Sequence, residues 1–115
     1  MIFICYKKCT TCKGVEKLMQ EKSLKYDLRE IDKENPSQEE IKKWHEKSGL
    51  DIKRFFNTSG KIYRENNLKE KLEKMTLEEK YKLLSTDGML VKRPILLVKD
   101  KVFVGPDVKK YIESL

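Results

Sequence analysis

The chain has 115 residues, 38% hydrophobic and 39% charged, with 26 Lys and Arg against 19 Asp and Glu for a formal net charge of +7. That length suits one domain with a real core and excludes two full domains, and no apolar run approaches the roughly 20 residues of a membrane span. Lys and Glu alternate along much of the chain and form no single basic stripe interleaved with aromatics, which predicts a solvated surface and no direct nucleic-acid binding.

Met1–Tyr6 has no basic leader and its apolar run is short, which predicts no signal peptide and a cytoplasmic location. Phe3-Ile4-Cys5-Tyr6, ended by Lys7-Lys8, reads as a buried opening strand. From Thr10 to about Lys22, Val15, Leu18 and Met19 recur at helical spacing. Tyr26 to Ile31 reads as a second strand, apolar at Tyr26, Leu28 and Ile31, so the opening predicts a right-handed βαβ unit with a parallel pair. Asn35-Pro36 breaks the chain. Ser37 and Glu40 then form a capping box for a helix with Ile41 and Trp44 on one face, and Gly49 ends it.

Ile52, Phe55 and Phe56 make a short apolar turn closed by Asn57-Thr58-Ser59-Gly60. Leu68, Leu72 and Met75 give another helical stripe, and Thr76 with Glu79 caps a third that carries Leu77, Tyr81 and Leu84. Residues 37–86 are therefore expected to form a helical block. Pro94 opens a buried strand at Ile95–Val98, Lys99-Asp100-Lys101 turns the chain, and Val102–Val104 runs back. Beyond Gly105-Pro106 a closing helix carries Val108, Tyr111, Ile112 and Leu115. The order βαβ, helical block, ββα predicts an α/β fold, a mixed sheet flanked by helices.

Cys9-Thr10-Thr11-Cys12 falls where the first strand gives way to the first helix. Cys9 is placed at the N-cap and Cys12 at about the third helical position, so their sulfurs share one turn. The free N–H groups and positive dipole end of the helix favour a thiolate at Cys9, and Cys12 is placed to resolve a mixed disulfide. Two other readings stay open: half a zinc site, or inert cysteines. Zinc needs more ligands, and His45 is the chain's one histidine. The odd total of three cysteines disfavours a secreted disulfide framework. Cys5 reads as a small buried hydrophobe, His45 as a helix-face residue, and Phe55, Phe56 and Tyr63 as core. Lys92-Arg93-Pro94 precedes the Ile95–Val98 strand, where a proline without an N–H fits a strand's start; in this element order it faces the start of the first helix.

Tyr6–Lys13 (YKKCTTCK), Phe55–Arg64 (FFNTSGKIYR) and Asp87–Ile95 (DGMLVKRPI) together resemble the arsenate-reductase-related (ArsC/Spx) family of the thioredoxin-like fold. The resemblance implies one thioredoxin-like domain over residues 1–115, with a helical insertion at about 37–86. It implies Cys9 as the nucleophile and Arg93 as the arginine before a cis-proline, Pro94. Thr10, Thr11, Arg93 and Pro94 make up the candidate substrate-binding set. Glutaredoxin-coupled arsenate reductases of this family hold their oxyanion with two further arginines, at positions that fall here at about Asn57 and Gly105. They also generally lack the second cysteine that stands here as Cys12. Two missing guanidiniums remove charge-assisted contacts, which predicts no efficient arsenate reduction. The Spx branch shares the Cys9–Cys12 pattern as a redox switch and works by binding the RNA polymerase α subunit. The implied partners are thus thioredoxin, glutaredoxin or a glutathione-type thiol as electron donor, with the polymerase subunit as the alternative. No bound cofactor and no metal is called for.

Overall fold

In the computed structural model, which describes residues 1–115, the apolar runs from both ends of the chain meet in one sheet. β1 (Ile2–Cys5) lies parallel to β2 (Asp27–Glu30) and antiparallel to β3 (Ile95–Val98), which pairs antiparallel with β4 (Lys101–Val104). The strand order is β2-β1-β3-β4. Strand pleating divides the core in two, because successive side chains point to opposite faces. Phe3, Cys5 and Leu96 pack on one face with residues of α1 (Thr10–Glu21) and α6 (Pro106–Glu113). Ile4, Ile95, Val102 and Val104 pack on the other with residues of α2 (Gln38–Ser48) and α5 (Leu77–Leu84). The helical block therefore covers one face, and the terminal helices the other.

Both predicted capping boxes form. The Ser37 hydroxyl accepts from the Glu40 N–H at 3.1 Å, and the Glu40 carboxylate accepts from the Ser37 N–H at 3.1 Å; Thr76 and Glu79 repeat the arrangement on α5. Gly49 closes α2 at φ +68°, a left-handed position that favours glycine. Glu40 also takes a two-pronged contact from Arg29 of β2, at 2.6 and 2.9 Å, while the guanidinium lies over the Trp44 ring at 5.6 Å. One carboxylate thus caps a helix and ties it to the sheet edge.

Three expectations shift. Leu28 is 50% exposed, because β2 is an edge strand and only Ile31, just beyond it, is fully buried. The stripe over Leu68, Leu72 and Met75 is a short α4 (Leu68–Lys71) that tightens directly into a 3₁₀ turn at Leu72–Lys74, and a separate helix that the stripe did not signal, α3 (Lys61–Glu65), precedes it. Asn67 in left-handed geometry at φ 53° bends the chain between α3 and α4, yet Leu68 and Leu72 stay buried. Leu77 is also exposed, leaving Tyr81 and Leu84 to anchor α5. The loop after the 3₁₀ turn at Ile52–Phe55 is stitched to the segment before β3: Asn57 N–H donates to the Leu90 carbonyl at 2.7 Å, and Lys92 N–H to the Phe55 carbonyl at 2.8 Å.

Candidate functional site

The turn that leaves β1 sets the site. Cys9 N–H donates to the Tyr6 carbonyl at 2.9 Å, and the Cys9 carbonyl accepts from Lys13 N–H at 3.0 Å, so Cys9 is the N-cap of α1. Its side chain makes no capping hydrogen bond. The half-buried sulfur is left for other chemistry, beside the free N–H groups of the first turn. Cys12 occupies the third helical position, one turn on, and is buried at 1% exposure. All three cysteines are free thiols.

Cys9 lies on the wall of a cavity of about 730 Å³ between α1, the Asn57–Gly60 turn, the approach to β3, and α6. Four basic side chains, Lys92, Arg93, Lys109 and Lys110, line it against one carboxylate, Glu113. None of the four enters an ion pair. Arg93 stacks over the Tyr6 ring at 5.2 Å and has only the Met89 sulfur near Nη1, at 4.0 Å. Its Nε is buried without a hydrogen-bond partner. Concentrated unpaired positive charge in a concave, partly walled site attracts anions.

Of the residues singled out in the sequence, the cavity gathers Cys9, Thr11 and Arg93. Thr10 is exposed outside it, and Pro94, joined to Arg93 by a cis peptide bond, is buried behind it with its carbonyl accepting from Gly105 N–H at 2.8 Å. Asn57 and Gly105, the positions of the two missing arginines, both face the cavity. Its charge comes instead from Arg93 with three lysines: Lys92, named in the sequence only as Arg93's neighbour, and Lys109 and Lys110, which the sequence did not single out. The stem of Lys92 crosses Gly105, where an added Cβ would lie 3.2 Å from Cε. Lys109 and Lys110 project from α6, three and four residues after Pro106 begins it. Their helical phase relative to Pro106 was the available signal. Arg54 pairs with Asp107 at 2.9 Å and does not line this cavity.

Cys5 is buried as expected, but beside Cys12. Its hydrogen bond with Cys12, the largest influence on both groups, holds the Cys5 thiol below its ordinary value and, with burial, pushes the Cys12 thiol up. Cys5 shares the face of Phe3, two residues before it, so period-two alternation already aimed it at α1. No group of three His, Cys, Asp or Glu side chains is arranged to hold a metal ion, and no helix is long and apolar enough to cross a membrane.

A mixed four-stranded sheet flanked by helices, with a free cysteine at the N-cap position of its first helix, defines a thioredoxin-like protein of the arsenate-reductase-like kind. Within that class the chain belongs to the ArsC family, whose profile matches residues 5–113. It is 49% identical over 105 residues to the uncharacterized protein YusI of Bacillus subtilis (strain 168), across 91% of this chain and 89% of that one. It is 27% identical over 105 residues to the regulatory protein MgsR of the same organism, across 91% and 82% of the two chains. The crystal structure of an ArsC family related protein from Bacteroides fragilis aligns with a TM-score of 0.90 at 42% identity, over 96% of this chain and 95% of the other.

Proposed function

We propose that the protein is a thiol–disulfide redox protein in which Cys9 is the nucleophile and Cys12 the resolving thiol. The observation that carries this reading is the placement of Cys9: an uncommitted sulfur at a helix N-terminus, on the wall of a cavity lined by four basic side chains. The Cys9 thiolate attacks one sulfur of a disulfide, forming a mixed disulfide and expelling the other sulfur as a thiolate. Cys12 then attacks the Cys9 sulfur, and the second substrate thiol leaves as the Cys9–Cys12 bond forms. Arg93 and the lysines hold an anionic group of the substrate and stabilise the departing thiolate. Thr11 borders the entering group, while Thr10 lies outside the cavity, and Pro94 fixes the backbone behind Arg93. Thioredoxin, glutaredoxin or a glutathione-type thiol returns the pair to the reduced state, and no bound cofactor takes part.

A titration in glutathione buffers, with alkylation and mass spectrometry, tests the reading. The expected result is a reversible Cys9–Cys12 disulfide with a potential near the cytosolic glutathione poise, roughly −220 to −320 mV. If no reversible disulfide involving Cys9 forms, the reading is wrong.

The similarity to a protein named as a regulatory protein favours a second reading. Here the same disulfide is a switch on an Spx-like regulator that binds the RNA polymerase α subunit. Pull-down with the isolated C-terminal domain of polymerase α separates the two: capture in one redox state supports the regulator, and capture in neither removes it. In a coupled assay for arsenate reduction the protein is expected to give no meaningful turnover, because lysines on flexible stems do not reproduce the bidentate grip of the two missing arginines. Robust turnover would overturn that argument.

A further inference from the structure

The exchange chemistry above uses two of the three thiols and leaves Cys5 idle. Yet Cys5 closes β1 on the face that α1 covers, and Cys12 is turned onto it in the same packed cluster. Cys12 shares the buried cluster with Cys5 and the first turn of α1 with Cys9, whereas Cys5 and Cys9 lie on opposite sides of it in the chain's packing. The sulfurs therefore run in the order Cys5, Cys12, Cys9. The cavities repeat that order. The large one is lined by Cys9 but by neither other cysteine, and a second, of about 160 Å³, is lined by Cys5 and Cys12 but not by Cys9.

Thiol–disulfide exchange requires a thiolate with access to one sulfur of the bond being broken. A middle sulfur flanked by two others is the one that can be passed between them. We propose that Cys5 is a third redox thiol, which takes Cys12 over from Cys9 by intramolecular exchange and leaves Cys9 free while a Cys5–Cys12 disulfide is held in the core. The inference rests on the thiol–disulfide reading. Cys5 loses its proton to solvent in the smaller cavity, and its thiolate attacks Cys12 Sγ. The Cys5–Cys12 bond forms as the Cys9–Cys12 bond breaks, and the electron pair departs on Cys9, which takes up a proton from the larger cavity. No net oxidation occurs in this step; the oxidising equivalents entered when Cys9 reacted with the substrate disulfide. The freed Cys9 can then attack a second disulfide, so the fully oxidised chain carries an internal disulfide and a mixed disulfide together.

Tryptic cleavage distinguishes these states, because Cys9 and Cys12 share the peptide Cys9–Lys13 whereas Cys5 lies before Lys7. Reduced protein is exposed to oxidised glutathione, quenched in acid at intervals, alkylated and digested, and fragmentation assigns each linked sulfur. The expected sequence is a Cys9–Cys12 bond that gives way to a Cys5–Cys12 cross-link, with Cys9 alkylated or carrying glutathione and most Cys5 lost to alkylation. Cys5→Ala and Cys5→Ser are expected to stop at Cys9–Cys12. Accumulation of Cys9–Cys12 in the wild type while Cys5 stays fully alkylatable overturns the relay and leaves the exchange reading intact, as does a cross-link from Cys5 to Cys9. Absence of any disulfide in wild type and variants overturns both.

Discussion

At the residue scale, the difference between the two cysteines of the motif is a difference of surroundings. Cys9 faces a cavity lined with cations, whereas Cys12 is buried and hydrogen-bonded to Cys5, so its proton is retained. Cys9→Ser is expected to abolish the glutathione adduct in an intact-mass measurement, and Cys12→Ser to trap that adduct on Cys9. A Cys12→Ser protein that releases its adduct as fast as wild type would remove the resolving role. In folded Cys9→Ser protein, Cys12 is expected to resist alkylation at neutral pH and to react only as the pH rises well past the ordinary thiol value of about 8.5; ready labelling at pH 7 would contradict its burial beside Cys5. Arg93 supplies an unpaired guanidinium to the wall. One charge-assisted contact is worth about 1.5–3 kcal/mol. Arg93→Ala is accordingly expected to slow adduct formation with anionic oxidised glutathione about tenfold, while leaving alkylation by neutral iodoacetamide much less affected.

At the element scale, the junction of β2 with α2 depends on Glu40. Its carboxyl is held below the usual range, first by the Arg29 guanidinium and then by the Ser37 N–H. A carboxyl lowered in the folded state contributes stability that is complete above the unfolded value, about 4.3, and is lost as the pH falls through the folded one. Glu40→Ala is expected to cost about 1–2 kcal/mol in chemical denaturation at pH 7, since a capping contact contributes about 1 and a partly exposed ion pair less. Glu40→Gln, which keeps the cap without the charge, is expected to recover part of that and to flatten the acid limb; an unchanged acid limb would contradict the assignment. The capping box was legible because its two partners lie three residues apart, and the β3–β4 hairpin because its turn is equally local. The break between α3 and α4 was not legible, because it depends on the left-handed Asn67, a conformation that sequence permits without requiring. Cys5 is buried, as its reading as a small buried hydrophobe had it, but its place beside Cys12 was not legible for a related reason. Alternation put it on the correct face, but its meeting with Cys12 depends on how α1 seats on the sheet.

At the scale of the whole molecule, the cavity exists only where the helical block and the sheet are clamped together. The clamp is the segment before β3, with Gly88–Leu90 in a 3₁₀ turn, Leu90 and Lys92 bonded to the Asn57 and Phe55 backbone, and Lys92 and Arg93 then facing Cys9's cavity. Much of this site was legible in pieces, as Cys9, Cys12 and Arg93, but the lysines beside them come from segments that only the assembled fold brings together. Gly88 shows the same limit. A Cβ there would run into the Ile31 carbonyl and come within 2.7 Å of Asn35 Oδ1, and Asn35 is itself fixed by its bond to the Ser85 carbonyl at 2.6 Å. Local sequence gives no sign of that contact, because its partners follow β2 at the far end of the insertion. A backbone carbonyl cannot swing aside as a side chain can, so Gly88→Ala is expected to destabilise by about 2–3 kcal/mol, at the upper end of overpacking costs, with a lower denaturation midpoint and an unchanged slope. Because the same turn leads into Lys92 and Arg93, the variant is also expected to react more slowly than wild type with oxidised glutathione under native conditions, with iodoacetamide labelling of Cys9 held. A Gly88→Ala protein as stable as wild type would mean that the β2–α2 connection yields, and the seat of the cationic wall would then have to be sought in the Phe55–Asn57 backbone bonds alone.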